Sequence, residues 1–168
     1  MLYDQVDQIL QAWIREWPDL EVAPMAVVGR ISRASRHIER ALQATYASFD
    51  LNTGEFDVLA TLRRQGVPYH LSPTELLRTL MLSSGAMTNR IDRLEVLGLV
   101  VRGGDPTDRR GVLVMLTAKG QQVVEAALVA HVMSEERLLT SLSGSERELL
   151  ASLLRKLLLS LEGNAAKP

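Results

Sequence analysis

Residues 71–120 read LSPTELLRTLMLSSGAMTNRIDRLEVLGLVVRGGDPTDRRGVLVMLTAKG, and this stretch decides the fold. Ser72, Pro73 and Glu75 place a hydroxyl at an N-cap, a proline at the first helical position and a carboxylate at N3, the pattern of a capping box. Leu76, Leu77 and Leu80 give the short helix that follows an apolar face. Leu82, Ser83 and Ser84 form a turn, and either serine can cap the next helix. That helix covers about residues 85–97, and Gly98 is placed as its left-handed terminator. Two β-rich runs, 99–102 and 111–116, then flank the tip GGDPTDRRG. Two helices around a tight turn, followed by a basic-tipped hairpin, predict a mainly α fold with a small β-wing: a winged helix-turn-helix.

The second helix is amphipathic on a 3.6-residue wheel. Met87, Ile91, Leu94 and Leu97 share one arc, with Ala86 at its edge. Gly85, Thr88, Asn89 and Asp92 lie opposite, with Arg93 at the border. The polar arc is short-chained near the N-terminus, so the backbone can approach DNA closely. Ser84, Thr88, Asn89 and Arg93 are the candidate contacts to bases or phosphates. Asp92 is less welcome beside phosphates; it orients Arg93 or accepts from a cytosine amino group. At the hairpin tip, Arg109 and Arg110 stand beside Asp105 and Asp108. Asp108 is expected to hold one arginine in position while the other enters the groove.

The segment resembles the winged helix-turn-helix of the MarR family of bacterial transcription regulators. The matching residues are Asp108, Arg109 and Arg110 at the wing tip, Leu116, Thr117 and Gly120 at the exit into the next helix, and residues 89–97 of the recognition helix. The flanking helices match in length and order. The resemblance implies a helical homodimer that binds a pseudo-palindromic double-stranded DNA operator, most often as a repressor, and is released by a small ligand.

Composition fits without establishing this. One domain suits 168 residues, and 46% hydrophobic content can build a core. With no cysteine, disulfides and thiol catalysis are excluded, as expected of a cytoplasmic protein. No apolar run is long enough to span a membrane, and the N-terminus has no signal-peptide pattern. The net charge of −1 requires any positive field to be local: Arg30, Arg33, Arg36 and Arg40, then Arg63 and Arg64, then the wing. Metalloprotease, hydrolase, P-loop and dinucleotide signatures are missing, and His37, His70 and His131 lack metal-ligand spacing. No enzyme, metal or cofactor is expected. His37 is placed on the arginine-bearing face of its helix and His70 in a loop.

The rest reads as helices. Residues 1–17 have amphipathic spacing, Pro24 opens a helix to about residue 48, and Asn52 with Glu55 caps another ending at Gly66. Thr117 caps a long helix; Ser143 and Ser145 each offer a box to a leucine-striped last one. Residues 1–49 form the N-terminal dimerisation and pocket helices, 53–116 the DNA-binding lobe and 117–162 the C-terminal dimerisation helices. The stripe Leu149, Leu150, Leu153, Leu154, Leu157, Leu158 and Leu161 is read as the dimer interface, joined by parts of the N-terminal helices.

Arg90 falls on the core-facing arc of its helix, so it needs a partner or a polar cavity, or it reaches solvent from the arc's edge. Here the chain is similar to a MarR subfamily that senses urate and related purines through an extra N-terminal helix bearing a tryptophan. The resemblance places a ligand site at Trp13, Asp57, Arg90 and Arg102, between that helix and the DNA-binding lobe. Trp17 is a second candidate for stacking. Urate, a planar monoanion, would stack on the indole and accept from Arg90 or Arg102. Asp57 would hold Arg90 when the site is empty. Two other readings stand: a sensor of phenolic or lipophilic compounds, and a winged-helix protein-interaction module that does not read DNA sequence.

Overall fold

The computed structural model describes residues 3–80, 84–106, 108 and 110–165, with only the backbone of Ser84, Asn164 and Ala165. Helix α1 (Gln5–Glu16) starts later than the apolar spacing suggests, because Asp4 caps it. Its carboxylate accepts from the Val6 and Asp7 amides, and Asp7 accepts in return from the Asp4 amide at 2.9 Å. Helix α2 (Ala23–Ala47) has Pro24 in its first turn. Asp50, in the left-handed region at φ 56°, turns the chain into α3 (Thr53–Arg64), which opens with the Asn52–Glu55 capping box. Gly66 follows at φ 79°.

The winged motif is built as the sequence indicates. Helix α4 (Pro73–Leu80) begins at Ser72, whose amide and hydroxyl both donate to Glu75. Helix α5 (Ser84–Val96) ends before Gly98 at φ 71°. Strands β2 (Val100–Gly104) and β3 (Val112–Leu116) form the wing. Helix α6 (Ala118–Leu138) is capped by Thr117, and α7 (Gly144–Ala165) by Ser143, whose amide and hydroxyl donate to the Glu146 carboxylate. His70 is not in a loop. With Leu71 it forms β1 (His70–Leu71), antiparallel to β3, so the sheet order is β1-β3-β2. Two residues are too few for any periodic signal.

One core joins these parts. Leu59 and Leu62 of α3, Leu76 of α4, Met87, Ile91 and Leu94 of α5, Val100 and Val114 of the sheet and Val124 of α6 are fully buried. The buried arc of α5 is therefore the one on the wheel. α7 is different. Arg147 ties its start to the Glu136 carboxylate at 2.7 Å and to the Leu139 and Leu142 carbonyls. Beyond that start its leucines face outward, Leu149 and Leu159 at 62% and 65% exposure. Among the described residues no helix is long and apolar enough to cross a membrane.

Where α6 leaves the sheet, a Cβ on Gly120 would overlap the Leu99 carbonyl oxygen, whereas one on Gly144 meets nothing within 4 Å. Gly120→Ala is expected to lower the unfolding free energy by at least about 2 kcal/mol. Gly144→Ala should stay within about 0.5 kcal/mol of the parent. Urea unfolding followed by circular dichroism measures both.

Candidate DNA interface and effector cavity

The reading face of α5 is set by the burial of its other face. With Met87, Ile91 and Leu94 in the core, Thr88 and Asn89 are exposed on the opposite side. Arg93 is half exposed and tied inward. Its Nε lies 3.1 Å from the Glu55 carboxylate, and its Nη2 donates to the Asp50 carboxylate and carbonyl at 3.3 Å. Asp92 does not orient Arg93. It pairs at 2.5 Å with Arg102, the wing arginine, which also holds Glu95. Arg102 therefore fastens the first wing strand to the recognition helix. Desolvation works against its charge, but the two carboxylates outweigh this and keep the guanidinium more basic than usual.

At the wing tip, Asp108 holds an arginine through the backbone and not through a guanidinium pair. Its carboxylate accepts from the Arg110 amide at 2.9 Å, and its carbonyl accepts from the Gly111 amide at 2.8 Å. That turn leaves the Arg110 side chain exposed. Arg109 lies outside the described residues, as do Leu82 and Ser83 of the inter-helix turn, and the side chain of Ser84 is not described.

A cavity of about 830 Å³ lies between α2, α3 and α6 with Leu80 of α4 at its edge. Tyr46 and Phe56 stack in its wall with centroids 4.1 Å apart, and His131 lies 5.3 Å from Phe56. The Tyr46 hydroxyl and His131 Nδ1 are 2.8 Å apart, and His131 Nε2 is 3.2 Å from Glu135. Burial, reinforced by the charges of Asp57 and Glu135, pushes the Tyr46 phenol up to about 12. Leu42, Ala60, Leu128 and Val129 make much of the lining apolar; Asp57, Arg63 and Arg64 supply charge. Arg63 is engaged, donating to Glu125 at 2.8 Å with its guanidinium 4.9 Å over the Tyr69 ring.

Asp57 is the least comfortable group there. Burial raises its pKa, with Arg90, His131 and Arg64 opposing through their charge. Arg90 is half-buried, and its guanidinium lies so close to Gly54 that a Cβ there would overlap Cζ. Asp57 and Arg90 interact through space without a direct ion pair, contrary to the expected clasp. Nor does the chain gather the other two expected ligand residues. Trp13, 42% exposed on α1, lines neither this cavity nor the smaller groove of about 500 Å³ between α1 and α2. Arg102 is held by α5. Trp17 is 56% exposed.

The basic clusters also divide. Arg30 is bound by Asp4 and Asp7 at 2.8 and 2.6 Å, fixing α1 on α2. Arg33, Arg36, His37 and Arg40 line a shallow depression along α2. The Tyr46, Phe56 and His131 wall was missed from sequence, since its parts are far apart in the chain. A trace existed: His131 falls on the buried stripe of α6, four residues after Ala127 and three before Ser134. Among the described residues no group of His, Asp or Glu could hold a metal.

A model of the MarR family matches residues 49–111. The HTH-type transcriptional regulator PecS of Dickeya dadantii is 41% identical over 152 residues, 90% of this chain and 92% of its own length. A mutant of Escherichia coli MarR, solved with operator DNA, superposes with a TM-score of 0.70 at 30% identity, covering 82% of this chain and 95% of that one. Bordetella bronchiseptica BpsR, whose structure concerns regulation of DNA binding by 6-hydroxynicotinic acid, gives 0.68 at 29% identity, covering 78% and 91%.

The raised pKa of Asp57 bears on stability. A carboxyl raised in the folded state favours folding when protonated, and that benefit is lost as pH climbs through its folded pKa. Asp57→Asn should therefore melt higher than the parent at neutral pH. The difference should vanish in acid, near and below the ordinary carboxyl value. Melting curves across that window measure it.

Proposed function

The chain belongs to the MarR family of DNA-binding transcriptional regulators, and on that premise we propose that it is a homodimeric, ligand-released repressor of a pseudo-palindromic operator. The effector is a planar aromatic anion such as urate, taken up by the cavity between α2, α3 and α6. One observation carries this reading. The first turn of α3 faces both ways: Thr53, Phe56 and Asp57 line the cavity, while Gly54 and Glu55 touch Arg90 and Arg93 of the recognition helix. A ligand that displaces Phe56 or Asp57 therefore acts on the reading head through one turn of helix.

The lining suits such a ligand. Tyr46 and Phe56 offer a flat aromatic wall, Arg64 a cation, and Asp57 an acceptor for a ring N–H. Trp13, outside this cavity, then belongs to the apolar face of α1 that a second copy covers. The leucines of α7 supply the main self-complementary surface. Leu42, Leu80, Leu128 and Val129 favour a second effector class, phenols without a second acidic group.

A mobility-shift titration on the duplex upstream of the protein's own gene, against a scrambled duplex, tests the reading. Selective binding that urate releases supports all of it. Release by a simple phenol and not by urate supports the second class, and binding without selectivity sinks the regulator itself. Asn89→Ala is expected to lose about 1–3 kcal/mol of discrimination, whereas Arg110→Ala should weaken binding on all duplexes and lower the salt slope by about one.

A further inference from the structure

We infer that Arg93 is a positioning residue that locks the recognition helix to the corner between α2 and α3 through Glu55 and Asp50, and is not a contact to DNA. The inference rests on the DNA-reading function proposed above and assigns the residue that sets the pose of its reading head.

Glu55 is the reason. Its side chain is 2% exposed, and both oxygens are used. One accepts from the Asn52 amide at 2.9 Å and so caps α3; the other is ion-paired with Arg93, whose Nε lies 3.1 Å away. A buried carboxylate left without its cation is strongly destabilising, so Arg93 is not free to swing toward a base. Part of its remaining fork is also engaged. Nη2 reaches the carbonyl and the carboxylate of Asp50, whose left-handed backbone turns both oxygens to one guanidinium.

Charge points the same way. One guanidinium faces two carboxylates, so the cluster is net negative, which is a poor neighbour for phosphate. Position agrees too. Arg93 lies one turn beyond Asn89, away from the helix N-terminus that enters a groove in this motif. One turn before Arg93, Arg90 lies against Gly54. Successive turns of α5 thus rest on successive residues of α3, and only the Arg93 contact is a salt bridge.

The test begins by selecting a preferred duplex from a random library with the parent protein. If none emerges, the DNA-reading function fails before any variant is compared, and this inference with it. On the selected duplex, Arg93→Gln and Glu55→Gln should each weaken binding on the order of tenfold. The salt slope should be unchanged, and the double variant should bind no worse than either single one. Asp50→Asn keeps a residue that tolerates the left-handed turn and should show a smaller loss of the same kind, which covers the case that Glu55→Gln does not fold. The inference is overturned if Arg93→Gln lowers the salt slope by about one while Glu55→Gln or Asp50→Asn binds as tightly as the parent or more tightly. It is equally overturned if none of these changes alters binding.

Discussion

The Glu55 carboxylate is the point on which the DNA-binding lobe turns. A buried acid needs every lone pair answered, and here the two answers come from different helices: the Asn52 amide at the start of α3 and Arg93 on α5. Capping α3 and orienting α5 are therefore one event, not two. The apolar contacts of Leu59 and Leu62 with the α5 core fix how far apart the helices sit. They leave rotation and sliding soft, because leucine contacts are not directional. The charged contact limits that softness, since moving Arg93 away would leave a buried carboxylate without its cation.

The same logic explains how a chain of net charge −1 can meet DNA. Many of its acids answer arginines that hold the fold: Asp4 and Asp7 with Arg30, Asp50 and Glu55 with Arg93, Asp92 and Glu95 with Arg102, Glu125 with Arg63. Overall charge thus measures internal pairing more than the surface presented to a partner. The wing shows the contrast. Asp108 pairs with a backbone amide and leaves the Arg110 side chain exposed, so a negative residue at the tip shapes the turn without holding that guanidinium.

What the sequence disclosed divides along a physical line. Caps, terminating glycines and the buried arc of α5 were legible because each is decided within one or two helical turns. The wing was legible because its tip chemistry is local. The β1 strand was not, since two residues carry no period and only β3 makes them a strand. Nor was the cavity wall, in which Tyr46 meets His131 across 85 positions. Arg102 shows how a residue type can be legible and its partner not: an arginine at the start of a wing suits an anion, but Asp92 and Glu95, one turn apart on α5, reach it from their own chain. Trp13 reads as a stacking residue only through resemblance, and in this chain its helix packs on α2 and lies outside the cavity.

Asp57 carries the argument from structure to regulation furthest. A carboxylate in an apolar, aromatic-walled cavity without an ion-pair partner works against the fold. The nearby positive charges of Arg90, His131 and Arg64 soften that burden without removing it. Groups that oppose stability and lack a structural answer concentrate at sites where something else must bind. The space beside it is bounded by the Tyr46 and Phe56 rings. Asp57 also lies two residues from Glu55, within the turn that orients the recognition helix. Asp57 of the cavity and Glu55 of the Arg93 contact thus share one turn of a single helix.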